Sequence, residues 1–328
     1  MIPRASILVI GKRGGILQWF EHMLAAATFL PEVRIDAFAL NHGTWTDRVQ
    51  NRALKLTGQK QKIDPLMARR LHAKIDACRP DLIIILDLFC FSAPMLEALE
   101  KAKPKAKIVQ WIGDFLNNGL KSNINVVDHF FFTDSSFIQD AKLLGISAAH
   151  YLPLAANPAI FNEPDSLRRR NNRLLFIGAH SENRETFINS IHTPKTLIGK
   201  GWKNAGHSGD ERLNKNIPIL QVARLYQEHS TVLNVLNKKN VRHGLNMRCF
   251  EATACGAILL TEDSPDNERC FAVGEEILTY RQPEDVVRHM ADLAADPERR
   301  QMIAKRGQER TLAEHCYHHR IMQLLNQL

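Results

Sequence analysis

No run of about 20 apolar residues occurs in this chain, so no segment of it reads as a helix that spans a bilayer. The start shows no secretory pattern: Ile7 to Ile10 reads as a short strand, and glycines follow it. Six cysteines, Cys78, Cys90, Cys249, Cys255, Cys270 and Cys316, are scattered through mostly apolar segments without a C-x-x-C pair. A cytoplasmic protein with reduced thiols packed as small hydrophobes is therefore expected. No G-x-x-x-x-G-K phosphate loop is present, and no Asp-x-Asp pair stands at a strand end to hold a metal. No aromatic RNA-binding signature accompanies the basic residues. These absences set aside a disulfide scaffold, an integral membrane protein and a P-loop enzyme.

What remains is a chain of 328 residues, 45% of them hydrophobic, with a formal charge of +8. Its length suits two domains of roughly 150 residues each. The positive surplus favours an anionic partner: a phosphate-bearing substrate, an anionic lipid headgroup touched peripherally, or nucleic acid. The densest basic cluster is Arg168, Arg169, Arg170 and Arg173.

Short β-rich runs alternate with helical patterns along the first half. SILVIG leads into the turn GKRGG, then a helix with Ile16, Phe20, Leu24 and Ala27 at helical spacing, then VRIDAFAL, DLIIILDL, KIVQWIG and DHFFFTD with helices between them. Strands that are apolar on both faces belong to parallel sheets covered by helices. The proline-punctuated stretch YLPLAANPAIFNEPDSLRRRNN marks a boundary, after which the alternation restarts with RLLFIGA, KTLIGKG, TVLNVLN, AILLT and EEILTY. The expected division is residues 1–155, a linker over 156–172, a second domain over 173–310, and a terminal helix over 311–328 that crosses back to the first domain.

The segment NMRCFEATACGAILLTE, residues 246–262, places Glu251 at the start of a short helix that ends at Gly256 and runs into a buried strand. Such a helix mouth, with a carboxylate and free backbone amides, suits hydroxyls and phosphates together. The plain alternative is an acidic side chain that offsets the helix dipole. TVLNVLN delivers Asn237, Arg242, His243, Asn246 and Arg248 to the carboxyl end of a strand, where ligands of open α/β sheets bind. In LIGKGW, Lys200 is placed to meet phosphate, or sits on an exposed turn. Arg184 joins it as a second cation or solvates its helix. Gly14 and Gly15 of GKRGG and Gly178 of FIGA are candidates for close backbone approach by a ligand. Asp114, ending VQWIGD, reads as a base or acceptor-orienting group, or as a turn cap. HCYHH, residues 315–319, reads as a solvated helical face and not as a metal site.

Taken together, VQWIGDF, HFFFTDSSFIQDAKLLGI, YLPLAANPAIF, LLFIGAHSENRETFI, LIGKGW and NMRCFEATACGAILLTE resemble the CgeB-like (spore-maturation-type) glycosyltransferases, a branch of the GT-B enzymes related to the retaining group-1 transferases. The resemblance runs over roughly residues 107–320. It implies a GT-B-like α/β fold of two doubly wound Rossmann-like domains facing across a cleft. It also implies a nucleotide-diphosphate sugar held mainly by the second domain, an acceptor held by the first, hexosyl transfer with retention, and no cofactor or obligatory metal. In those relatives a pair of glutamates eight positions apart contacts the donor; Glu251 matches the second, on the ribose, whereas His243 stands at the first. The catalytic set implied is Asp114, Arg184 and Lys200, and the donor set is Gly14, Gly15, Gly178, Asn237, His243, Asn246, Arg248 and Glu251. The acceptor, whether glycan, lipid-linked, protein or modified nucleic acid, is not named by the residues. Two other readings stay open: a catalytically inactive nucleotide-binding or scaffold protein of the same fold, and a transferase acting on modified nucleic acid.

Overall fold

A computed structural model describes residues 4–14, 18–41, 52, 63–162, 170–202, 207 and 209–327. The chain divides into two compact units, Met1–Pro153 with Tyr317–Leu328, and Leu154–Cys316.

The described strands of the first unit are β1 (Ala5–Gly11), β2 (Val33–Ala39), β3 (Leu82–Leu86), β4 (Lys107–Ile112), β5 (His129–Phe132) and β6 (Ala149–Tyr151). They pair in the order β2-β1-β3-β4-β5-β6, all parallel. All five residues of β3 are buried, as expected of a strand covered on both faces. The helices α1 (Trp19–Ala25), α2 (Ile63–Cys78), α3 (Ala93–Glu100) and α4 (Phe137–Leu143) supply the cover. Leu71, Met95, Leu99 and Phe137 join Ile83, Ile85, Ile108 and Phe132 in one core.

The second unit repeats the plan with β7 (Asn171–Ile177), β8 (Lys195–Ile198), β9 (Glu211–Leu213), β10 (His229–Asn234), β11 (Ile258–Glu262) and β12 (Leu278–Tyr280). Their order is β12-β11-β10-β7-β8-β9, again parallel throughout. Its helices are α5 (Glu182–Asn189), α6 (Ile219–Glu228), α7 (Met247–Ala254), α8 (Asn267–Cys270), α9 (Pro283–Ala295) and α10 (Pro297–Glu314). The last helix, α11 (Tyr317–Asn326), returns to the first unit. There the buried Arg320 donates through Nε to Pro153 O at 2.7 Å, and Tyr317 stacks on His22 with ring centroids 5.6 Å apart.

Two local expectations are corrected. The edge strands β6 and β9 went unpredicted because AHY and ERL hold no apolar run, unlike the equally short β12, which closes the run ILTY. HCYHH is not a solvated face: His315, Cys316 and Tyr317 are buried, His315 Nε2 lies 2.7 Å from Cys270 O, and His318 stacks on Phe29 at 5.1 Å. Before β7, the segment through Phe161 packs with the second unit, where Ala156 N donates to His315 O at 2.9 Å. Among the described residues, no helix is long and apolar enough to cross a membrane.

Candidate functional site

In the second unit β7 pairs with β8 on one side and β10 on the other, so the strand order reverses there and a crevice opens at the carboxyl ends. Strand β7 is followed by Gly178, whose carbonyl accepts from Trp202 Nε1 at 2.7 Å. Gly199, just past β8, has φ +144, and a Cβ there would sit 2.0 Å from Gly178 O. Glycine is thus required at 199 on two counts, backbone conformation and space. Lys200 follows on an exposed turn and forms no ion pair among the described residues; its carbonyl accepts from His180 N at 3.0 Å.

Arg184 does not solvate its helix. It is 9% exposed, and its guanidinium donates to Val235 O at 3.3 and 2.9 Å and to Ala179 O at 3.0 Å. Burial, with the charge of Arg248 adding to it, pulls its pKa down to about 10. Arg248 donates through Nη1 to Asn234 Oδ1 at 2.7 Å, and a Cβ added at Gly178 would lie 3.2 Å from its Nη2. Both guanidinium groups lie over the ring of Phe176, at 5.6 and 5.7 Å from its centroid. Neither arginine forms an ion pair with an acidic side chain among the described residues.

The helix bearing Glu251 begins a turn earlier than expected. Its N-cap is Asn246, its first turn holds no acidic residue, and Glu251 stands on the second turn. That position removes the dipole-offsetting explanation, since the effect fades beyond the first turn. Glu251 is 8% exposed, and its carboxylate has no hydrogen bond or ion pair among the described residues. Burial pushes its pKa up to about 7, with Arg248 opposing.

Sequence reasoning chose Asn237 and passed over Asn234. Asn237 lies on the loop after β10, where its Oδ1 accepts from Lys239 N at 3.3 Å. Asn234 is fully buried inside β10 and meets Asn246, Arg248, Cys249 and Thr261. An asparagine at the centre of the run VLNVL was the available signal. Beside this cluster a cavity of about 610 Å³ is lined by His180, Arg184, Asn237, Lys238, Glu262 and Tyr280. His180 Nε2 lies 2.6 Å from Glu185 Oε2. His243, at the loop between β10 and α7, accepts from Ser264 Oγ through its backbone carbonyl.

In the first unit Asp114 follows β4 and is half-buried; its Oδ1 accepts from the N–H of Phe115 at 3.3 Å. Burial raises its pKa, the Phe115 amide opposes, and Asp87 raises it further. Asp87, at the end of β3, was not singled out; it carries a left-handed φ of 73, a conformation non-glycine residues adopt at a cost and often near functional sites. Gly14 also has a left-handed φ of 77, but its N–H is taken by Glu21 Oε1 at 2.7 Å. Gly15 lies outside the described residues. The structure therefore gathers Gly178, Arg184, Asn246, Arg248 and Glu251 on the second unit, while Asp114 and Gly14 stand at strand ends of the first.

The whole chain superposes on solved structures. HepE of Anabaena, solved in complex with UDP, matches with a TM-score of 0.65 over 98% of this chain and 100% of that one, at 11% identity. The fold is GT-B. A sucrose-phosphate synthase from Thermosynechococcus elongatus matches this GT-B chain with a TM-score of 0.64 and 12% identity over 98% of each. A glycosyltransferase from Rickettsia africae gives 0.67 at 9% identity, covering 98% of this chain and 97% of the other. By sequence, residues 175–326 match the model of a glycosyl transferase-like family. No curated protein sequence matches the chain. The family match and the GT-B neighbours together support a glycosyltransferase.

Proposed function

We propose that the protein is a metal-independent glycosyltransferase of the CgeB-like branch, moving a hexose from a uridine-diphosphate sugar to an acceptor hydroxyl with retention of configuration. The observation that carries this reading is Glu251: among the described residues it is a buried carboxylate without a hydrogen-bonding partner, and it feels the charge of Arg248, whose guanidinium shares the Phe176 ring with that of Arg184 and, like it, has no acidic partner. A ligand that fits offers neutral hydroxyls to the carboxylate and an anion to the arginines, and a ribose joined to a diphosphate does both. HepE was solved with UDP, with UDP and glucose, and with UDP-glucose, which makes the uridine nucleotide and a hexose the first donor to test.

In this reading Glu251 accepts the ribose hydroxyls, and Arg184, Arg248 and Lys200 face the diphosphate. The bond from the anomeric carbon to the β-phosphate oxygen breaks and its electron pair stays on the diphosphate. The acceptor oxygen forms the new bond, and its proton leaves with the departing phosphate. Preorganised cations stabilise the charge that builds there, the role a divalent ion would otherwise fill. Asp114 orients the acceptor hydroxyl, and the protein works in the cytoplasm.

The test is a thermal-shift panel of uridine, guanosine and adenosine diphosphate sugars, each with and without EDTA. A ligand that binds the native state raises the melting temperature by mass action. A UDP-sugar is expected to raise it, equally in EDTA. No shift with any of them at millimolar concentration would refute the reading, and a shift abolished by EDTA would refute its metal independence.

A further inference from the structure

The side-chain amide of Asn234 is satisfied on every side. Its Oδ1 accepts from Asn246 Nδ2 at 2.8 Å and from Arg248 Nη1 at 2.7 Å, and its Nδ2 donates to Thr261 Oγ1 at 3.0 Å and to Cys249 Sγ at 3.2 Å. Its main-chain carbonyl accepts from Tyr280 OH at 2.8 Å. Arginine has only donors, so the oxygen of the amide must face Arg248, and the amide's orientation follows from the chemistry. The residue is 0% exposed and closes β10, directly beside Thr261 of β11 in the parallel register.

Resting on the donor reading above, we infer that Asn234 is the positioning residue that aims the Arg248 guanidinium at the phosphate of the donor while leaving its charge uncancelled. An aspartate at 234 would reach Arg248 as well, but it would form an ion pair and neutralise the cation that the anionic ligand needs. It would also lose both donations to Thr261 and Cys249. A neutral acceptor fixes the guanidinium beside Phe176 and Gly178, and the positive charge remains available. Asn246, held by the same oxygen, is the N-cap of α7, so the start of the helix that carries Arg248 and Glu251 is pinned by the same atom.

The role differs from mere packing in what it protects. A packing residue, when changed, disturbs all ligands alike; a residue that preserves the charge of Arg248 matters to phosphate and not to nucleoside. The experiment measures UDP by calorimetry and uridine by NMR titration on the wild type, Asn234→Asp and Asn234→Ser, with melting curves to establish folding. Asn234→Asp is expected to weaken UDP by about tenfold or more, the scale of one charge-assisted hydrogen bond, while uridine affinity stays within about twofold. Asn234→Ser, which frees Arg248 without adding charge, is expected to weaken UDP by a smaller factor, again sparing uridine. If the aspartate variant does not fold, the serine variant is read by the same criterion. In an Arg248→Ala background, Asn234→Asp is expected to add no further loss for UDP, as coupled residues require. UDP affinity unchanged in the folded variants, or UDP and uridine weakened equally, overturns the role of Asn234 while the donor reading stands. A wild type that binds no UDP overturns both.

Discussion

Arg184 and Arg248 share one phenyl ring, their guanidinium carbons 5.6 and 5.7 Å from the centroid of Phe176, yet they are held in opposite ways. Arg184 is anchored by backbone carbonyls of Val235 and Ala179, and Arg248 by a single side-chain oxygen of Asn234. Arg184→Ala strips the Val235 carbonyl of two buried bonds and the Ala179 carbonyl of a part-buried one, and is expected to cost roughly 2–4 kcal/mol of stability. Arg248→Ala removes one bond to Asn234 and is expected to cost about 1 kcal/mol while weakening UDP at least about tenfold. Denaturant titrations beside UDP titrations separate the two; an Arg248→Ala protein that binds UDP as the wild type does would show that this cation faces no phosphate.

Glu251 makes the second prediction, on pH. Its pKa is about 7 in the folded protein against 4.5 for the free side chain, raised chiefly by burial. The folded state therefore holds a proton that the unfolded chain releases: the stabilising contribution is complete below pH 4.5 and is lost as pH rises through 7. Above that, Glu251→Gln is expected to melt higher than the wild type, by an amount on the order of 3 kcal/mol at most. Donor binding should move the other way, because the ionised carboxylate is the better acceptor for ribose hydroxyls. UDP affinity of the wild type should rise relative to that of Glu251→Gln as pH passes through 7. A constant ratio of the two affinities across that range would be incompatible with a titrating Glu251 at the ribose.

Gly199 provides a purely structural check. An added Cβ meets Gly178 O at 2.0 Å and must also adopt φ +144. Gly199→Ala is expected to lose roughly 3 kcal/mol or more, the range of strained backbone combined with overpacking. At Gly209, where φ is +91 and nothing lies within 4 Å of the added carbon, alanine should cost less. Equal denaturation midpoints for the two variants would show that the Gly178–Gly199 approach is looser than described.

Asp114 is expected to serve the acceptor and not the fold. Its carboxylate makes a 3.3 Å contact with the next amide and is kept above the usual carboxylate range chiefly by burial. Asp114→Asn should leave the melting temperature and UDP affinity near wild type and lower transfer by about 10²-fold. A variant that loses several degrees and keeps its specific activity per folded molecule would make Asp114 a cap.

The alternation of apolar strands and helices was legible because strands such as β3, LIIIL, are apolar throughout and buried on both faces, and that composition has few other uses. The edge strands β6 and β9 were not legible, since AHY and ERL lack the apolar run that marked the equally short β12. At the site, Glu251 and Arg248 could be read from their place before a buried strand; the start of α7 was placed late although Asn246 is of a type that favours N-caps, and in the structure its side chain bonds Asn234 and not the amides of its own helix. Arg184 was legible as a cation near the strand end; its burial was not, as the carbonyl that takes two of its bonds, Val235 O, lies just past β10, 51 residues on. Asn234 was missed for a related reason. Its side-chain partners come from β11 and α7, and Tyr280 of β12 meets its main-chain carbonyl; only folding brings them together.

Calorimetric titration of UDP into the wild type and into Glu251→Ala tests the donor site most directly. Wild-type protein is expected to bind UDP, and the variant, still folded, to bind it about 1–3 kcal/mol more weakly, as when a buried charged hydrogen-bond acceptor is lost. UDP bound with equal affinity by both proteins, or by neither, would contradict a nucleotide-sugar site built around Glu251.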